Sequence, residues 1–196
     1  MVGYNTDTQN QISELSRVLM LNHELYGIIE AAAGLGLQNH YIGAGCIAQT
    51  VWNYQLGLDL SFGISDVDFV YYDDSDISSD AESEVANKLR LMIPQCKFEL
   101  DVNNQARVHL WYKDYFGYDM QPYTSVEAAI NTWPTTATSV GVRLEGGALK
   151  VYAPYGLNDI FGLVVRANKT QITEEVYIKK VSKWTAKWPS LNVVPW

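Results

Sequence analysis

The chain has 196 residues, of which 47% are hydrophobic, and a formal net charge of −8 at pH 7. This apolar content can form one sizeable core, so we expect a single domain over residues 1–196. The acidic balance argues against extensive nucleic-acid binding, and no apolar run has the length of a membrane span or the pattern of a signal peptide. Cys46 and Cys96 form no CxxC pair, which excludes a zinc knuckle and a disulfide framework and predicts a cytoplasmic setting.

The first third of the chain is dominated by helical patterns. Apolar residues recur at helical spacing after residue 8, and Asn22 has the character of a cap between two helices. A glycine turn, Gly43-Ala44-Gly45, separates a short strand from a further helix. The predicted elements are, in order, helices over 8–21 and 22–33, a strand over 40–42 and a helix over 46–55.

The stretch GISDVDFVYYDD, residues 63–74, places two aspartates at the start of a strand. The aromatic and β-branched run over 69–72 is typical of a buried strand. Because residues two apart in a strand point to the same face, Asp66 and Asp68 are predicted to lie side by side. Two carboxylates held so close repel each other unless a positive group lies between them.

The remainder of the chain mixes helices and strands without a regular βαβ alternation. This pattern favours an α+β fold with a mixed sheet and helices packed mainly on one side. Gly146-Gly147 marks a hairpin, and we expect the lysines near the C-terminus to cover the edge of a helix that Trp184 and Trp188 dock on the core. The predicted elements are a helix capped by Ser79, strands over 97–102 and 106–112 separated by Asn103-Asn104, a helix capped by Thr124, hairpin strands over 140–145 and 148–153, and a helical tail at 173–188.

Two interpretations of the aspartates compete with a magnesium site. An EF-hand loop that starts at Asp66 lacks the glycine at its sixth position and the glutamate at its twelfth, so calcium binding of that type is excluded. A dinucleotide-binding fold is the stronger rival, since residues 43–48 match G-x-G-x-x-[GA] and an acid follows about twenty positions later. That acid should end its strand, however, whereas Asp66 and Asp68 begin theirs.

A third interpretation uses the glycine turn and the aspartates together. Backbone N–H groups at a helix N-terminus bind phosphate, and carboxylates supply the oxygen ligands that Mg²⁺ prefers beside substrate phosphates. Two magnesium ions can then stabilise the attacking and leaving oxygens of nucleotidyl transfer. Such a site needs a third carboxylate on a neighbouring strand, and Asp101 in KFELDV is the first candidate, with Glu99 as the alternative. Arg107 is a candidate to bind a terminal phosphate, with a surface salt bridge as the equally supported alternative.

The order Gly45-Cys46, Asp66-Val67-Asp68-Phe69 and Asp101 resembles the G-[GS]…D-h-[DE]-h…D pattern of the DNA polymerase β-like nucleotidyltransferases. The chain is more closely similar to a bacterial family of stand-alone nucleotidyltransferase-like proteins, whose fold is similar to the head domain of CCA-adding enzymes. The segments that carry this resemblance lie within about residues 40–170: GCIAQTVWN, DVDFVYYD, NQARVHLWY, WPTTATSVGVR and VYAPYGLNDIF.

The resemblance implies a reaction class without naming a substrate. It places the triphosphate on Gly45 and Cys46, with Gly43 in the same turn, the metal on Asp66 and Asp68, and the third acid at Asp101. The expected activity is transfer of a nucleoside monophosphate from an NTP to an unknown hydroxyl acceptor (a small molecule, a protein or an RNA end), with two Mg²⁺ ions and release of pyrophosphate. Cys46 replaces the usual Gly or Ser and the gap to Asp66 is long, so an inactive nucleotide-binding or protein-interaction module is the alternative.

Overall fold

A computed structural model describes all residues, 1–196, and confirms the predicted α+β class. The chain forms eight helices and seven strands. The helices are α1 (Thr8–Leu21), α2 (His23–Gly34), α3 (Gly45–Leu56), α4 (Ser79–Met92), α5 (Tyr112–Phe116), α6 (Val126–Ile130), α7 (Asn158–Phe161) and α8 (Glu174–Thr185). The strands are β1 (His40–Gly43), β2 (Asp66–Tyr71), β3 (Glu99–Asn104), β4 (Gly141–Glu145), β5 (Ala148–Tyr152), β6 (Val164–Val165) and β7 (Asn192–Val193). No helix is both long enough and apolar enough to cross a membrane.

Five strands form a mixed sheet in the order β3-β2-β1-β4-β5. Strands β2 and β3 are parallel, whereas β1 is antiparallel to both β2 and β4, and β4 is antiparallel to β5. The antiparallel pairing of β1 with β2 is incompatible with a dinucleotide-binding βαβ unit, whose two strands must be parallel. The rival interpretation of the glycine turn is therefore wrong, and the predicted mixed sheet is confirmed.

The two faces of this sheet are covered unequally. Side chains such as Val67, Phe69 and Leu100 join the main hydrophobic core with helices α1–α4, α7 and α8. The opposite face carries a smaller cluster in which Tyr41 and Val70 pack against α6. Since side chains alternate along a strand, Asp66 and Asp68 share the face of Val70, away from the main helical layer. The helices thus lie mainly on one side, as predicted.

The C-terminal helix is part of this core. Tyr177, Trp184 and Trp188 are buried, and Trp188 Nε1 donates a hydrogen bond of 2.7 Å to Asn53 Oδ1 on α3. The edge of Trp52 meets both Trp184 and Trp188, with ring centroids 5.7 and 5.6 Å apart. The predicted tail at 173–188 is helical over Glu174–Thr185. Trp184 docks this helix on the core as predicted, whereas Trp188 lies beyond the helix end and docks the segment that follows.

The predicted strand over 106–112 is wrong. A 3-10 turn (Val108–Leu110) and α5 occupy this segment instead, and Asn104, which we expected in a turn, is the last residue of β3. The Asn104 side chain explains the change. Its Nδ2 donates to the Asp73 carbonyl at 2.7 Å and its Oδ1 accepts from Asp73 N at 3.0 Å and from Ala106 N at 3.1 Å. These bonds end the strand and start the turn.

Two predicted helix caps are displaced by one residue. Ser78 rather than Ser79 caps α4 and accepts a hydrogen bond from Ala81 N, and Ser125 rather than Thr124 caps α6 in the same way. A serine or threonine next to the true cap cannot be distinguished from it by spacing alone, because both candidates precede the same apolar pattern.

Candidate active site

Pairing of the strands brings the predicted carboxylates together. In the parallel pair β2–β3, Asp68 lies opposite Asp101 and Asp66 lies opposite Glu99. Register partners of a sheet present their side chains on the same face, so all four acidic residues share the face away from the main helices. On the other side of β2, Asp68 pairs with Gly43. The glycine turn and the carboxylates therefore lie close together at one end of the neighbouring strands β1, β2 and β3.

Asp68 lies in an electrostatically unfavourable position. Its pKa is raised to about 7, first by burial and then by the negative charges of Asp101 and Asp66. None of these three carboxylates forms an ion pair. Their short-range partners are neutral, since Asn103 Nδ2 donates to Asp101 at 2.7 Å and Ser65 Oγ donates to Asp66. The site thus concentrates negative charge that no ion pair neutralises.

Lys180 on α8 is the cation whose charge acts on this acidic group, and no sequence motif marks it as a site residue. Its charge lowers the pKa of Asp68, against the effects of burial and neighbouring acids. Burial lowers the pKa of Lys180 itself, while Asp68 and Asp66 raise it. The segment that follows α8 is tied to the segment that precedes β2, because Lys187 Nζ donates to the Gly63 carbonyl at 2.9 Å. The cluster of C-terminal lysines is visible in the sequence, but Lys180 is far from Asp68 along the chain, so no local pattern could predict that the two are neighbours.

The glycine turn between β1 and α3 has unusual backbone geometry. Ala44 has φ 60° and ψ −132°, a conformation that is costly for a residue with a side chain, and no side chain caps the N-terminus of α3. A Cβ on Gly43 would lie 2.6 Å from the Val140 carbonyl and 2.7 Å from the Trp133 ring. Only glycine fits there, and the uncapped helix leaves backbone N–H groups beside the carboxylates.

The thiol of Cys46 points into the glycine turn. The side chain is buried and its Sγ donates to the Gly43 carbonyl at 3.0 Å. Burial raises the pKa of this thiol well above its ordinary value, and the Asp68 charge acts in the same direction. The thiol is therefore neutral and directed into the turn, which leaves the amide groups of Gly45 and Cys46 as the polar groups at the helix start.

Arg107 is not brought to the other predicted site residues. It follows the C-terminal end of β3, whereas Asp66 and Asp68 lie at the start of β2. Its guanidinium pairs with Glu82 at 2.6 Å and donates to the Ile77 carbonyl at 3.1 Å. With 15% of its side chain exposed, Arg107 is held within the protein at the opposite end of the strand pair.

The site's donor set suits a hard divalent cation, although no three acidic, histidine or cysteine side chains are drawn together into a preformed metal cluster. Carboxylate oxygens from neighbouring strands are the ligands that Mg²⁺ takes together with substrate phosphates. The raised pKa of Asp68 indicates that a cation would relieve repulsion here. Asp66, Asp68 and Asp101 are the residues that would hold it.

The mixed sheet, with acidic residues on two parallel strands beside a glycine turn, has the architecture of a nucleotidyltransferase fold. The chain belongs to a nucleotidyltransferase family, whose model matches residues 30–193. A solved NMR structure, described as revealing a CCA-adding enzyme head domain, is similar over 99% of this chain and 100% of that chain, with a TM-score of 0.74 and 25% sequence identity. No curated protein matches the chain. The predicted family and fold are thereby confirmed.

Proposed function

We propose that the protein is a metal-dependent nucleotidyltransferase that moves a nucleoside monophosphate from an NTP to a hydroxyl acceptor. One observation carries the proposal: Asp68 lies in register with Asp101 and on the same face as Asp66, without an ion pair, beside the uncapped start of α3. Membership of the nucleotidyltransferase family supports the reaction class. The acceptor oxygen forms a bond to the α-phosphorus, and the bond from that phosphorus to pyrophosphate breaks.

Each acidic residue has a distinct role in this proposal. Asp66 and Asp68 would hold the metal, and Asp101 would bind a second ion and accept the proton that the acceptor hydroxyl releases. Bound Mg²⁺ would stabilise the negative charge on the attacking and leaving oxygens. The raised pKa of Asp68 supports this role, because a carboxylate that is costly to ionise alone gains most from a nearby cation.

The triphosphate is assigned to the start of α3. The amide groups of Gly45 and Cys46 have no side-chain cap to satisfy them, and a helix N-terminus carries partial positive charge. Lys180, whose charge lowers the pKa of Asp68, adds a positive charge near the carboxylates. Together these groups would neutralise the pyrophosphate that leaves.

Calorimetric titration of each NTP, with and without Mg²⁺, tests the proposal. We expect magnesium-dependent binding to the wild type, weakened at least about 100-fold in Asp68→Asn, because this variant removes a carboxylate that would bind the metal. Asp74→Asn, on the exposed loop after β2, is the matched control and should bind as the wild type does. Equal magnesium-dependent binding by wild type and Asp68→Asn would contradict the proposed site.

The second candidate function is nucleotide binding without chemistry. Two observations favour it: the Cys46 thiol is turned away into the turn, and the carboxylates are not preassembled. Pyrophosphate release, measured with small-molecule, protein and RNA-end acceptors, separates the two functions. Magnesium-dependent NTP binding with no release for any acceptor would favour the binding module.

A further inference from the structure

The loop after α6 passes directly over the glycine turn. Val140 accepts a hydrogen bond of 3.0 Å from Ala44 N, so this loop is tied to the segment that precedes α3. Earlier in the same loop, Trp133 places its six-membered ring 2.7 Å from the position that a Cβ on Gly43 would take. The indole therefore occupies the space that the missing Gly43 side chain leaves.

This position borders the carboxylates. Gly43 and Asp68 are cross-strand partners, and such partners have side-chain positions about 4.5–5.5 Å apart on the same face. The Trp133 ring thus lies next to Asp68, on the face where the metal and the triphosphate are proposed to bind. The other acidic strand, β3, lies on the far side of Asp68.

The Trp133 backbone is firmly held. Its carbonyl accepts hydrogen bonds from Asn168 Nδ2 at 2.8 Å and from Ser139 Oγ at 3.2 Å. Its amide donates to the Ile130 carbonyl at 3.2 Å. The ring is consequently presented from a fixed point, which lowers the entropy lost when a ligand packs against it.

Trp133 differs from the other five tryptophans, each of which contacts an aromatic ring of the protein. The Trp133 ring forms no stacked or edge-to-face pair with another aromatic ring and no cation–π contact. It is half-buried against the cluster around Tyr41 and Val70. A rigid, partly exposed indole beside the proposed site has aromatic surface available to a ligand.

From this placement we infer that Trp133 is the stacking platform for the nucleobase of the bound NTP. The inference rests on the proposed function, since it needs a triphosphate anchored at α3 and the carboxylates. Aromatic stacking tolerates every base because each has a π-face. Trp133 therefore raises the affinity for NTPs relative to that for inorganic polyphosphates, and raises it more for purine than for pyrimidine nucleotides.

Titration with two magnesium-loaded probes, ATP and inorganic tripolyphosphate, tests this role. Trp133→Ala should weaken ATP binding about 5- to 150-fold, the range of a single base–aromatic stack, and leave tripolyphosphate binding unchanged. Trp133→Phe should retain most of the ATP affinity, whereas Trp133→Leu, which keeps apolar bulk without a π-face, should lose it. Trp111→Ala is the control, because Trp111 packs against Tyr112 and Tyr115.

The outcomes separate this inference from the function on which it rests. Unchanged ATP affinity in Trp133→Ala, equal losses for both probes, or full affinity in Trp133→Leu would overturn the stacking role and leave the nucleotidyltransferase proposal intact. Failure of the wild type to bind either probe would instead overturn the proposed function. Circular dichroism of each variant distinguishes loss of binding from loss of folding, and Trp133→Phe against Trp133→Leu decides the question if the alanine variant does not fold.

Discussion

Charged residues at the two ends of the parallel strand pair β2–β3 are arranged in opposite ways: those at one end form an ion pair, and those at the other do not. Beyond the C-terminal ends, Arg107 and Glu82 form a half-buried ion pair of 2.6 Å, and the Asn104 side chain bonds to both backbone groups of Asp73. At the N-terminal ends, Asp66, Asp68 and Asp101 gather without any ion pair. At the C-terminal end, the polar groups bond to one another within the protein. At the N-terminal end, the carboxylates have no ion-pair partner and are available to a ligand.

This difference separates structural from functional polar residues within one pair of strands. Satisfied polar groups contribute to stability, because they are expensive to leave unpaired. Uncompensated like charges reduce stability and persist where function requires them. Mutations at the two ends should therefore have opposite effects on folding and on ligand binding.

The largest expected effect is at the satisfied end. Glu82→Gln should lower the free energy of unfolding by roughly 2–4 kcal/mol, since breaking an ion pair that is largely buried leaves Arg107 uncompensated. Urea denaturation measures this loss, and Mg·NTP affinity measured in parallel should not change. A fall in NTP affinity without a fall in stability would contradict a purely structural role for this ion pair. It would instead indicate that Arg107 binds the nucleotide.

The acidic end should show an opposite, pH-dependent effect in the absence of metal. The native state raises the pKa of Asp68 from 3.8 to about 7, so the native state binds more protons than the unfolded state between these values. Wild-type stability should fall as pH rises from about 4 to 7. The Asp68→Asn variant should lack this loss and be more stable by roughly 1–3 kcal/mol at pH 8.

Thermal unfolding in EDTA across this pH range measures the difference between the two proteins. Adding Mg²⁺ at pH 8 should raise the melting temperature of the wild type and leave that of Asp68→Asn unchanged. Identical pH profiles for the two proteins would contradict the uncompensated position of Asp68.

A smaller effect distinguishes the two candidates for the third acid. Asp101→Asn should weaken Mg·NTP binding by at least about tenfold, whereas Glu99→Gln is the matched control and should change it little. Asp101 is the register partner of Asp68 and its charge raises the Asp68 pKa, while Glu99 lies opposite Asp66. Calorimetry on both variants decides between them, and the reverse order of effects would assign the third ligand to Glu99.

The smallest effect concerns Lys180. Lys180→Met should raise the pKa of Asp68 further, because it removes the positive charge that lowers this pKa, and should weaken NTP binding about two- to fivefold. Carbon-detected NMR titration of the Asp68 carboxyl group measures the first change. Lys179→Met, one residue earlier on α8, is the control. An unaltered Asp68 titration in Lys180→Met would remove this lysine from the site.

Local patterns predicted much of the fold and part of the site. The helices around Asn22, the strand that starts at Asp66 and the hairpin at Gly146-Gly147 follow from periodicity and turn chemistry, which act over a few residues. The strand predicted over 106–112 failed because hydrogen bonds from Asn104 to Asp73, across two strands, override its local propensity.

The sequence by itself determined that Asp66 and Asp68 share a face and that a glycine turn opens α3, because both depend on the geometry of adjacent residues. Only the tertiary structure decided which groups surround them. The register of β3 places Asp101 beside Asp68, α8 brings Lys180 to the acids, and the loop after α6 lays Trp133 over Gly43. Arg107 ends elsewhere, since its partner Glu82 lies on α4. These contacts join residues far apart in the chain, and packing of the whole core sets them.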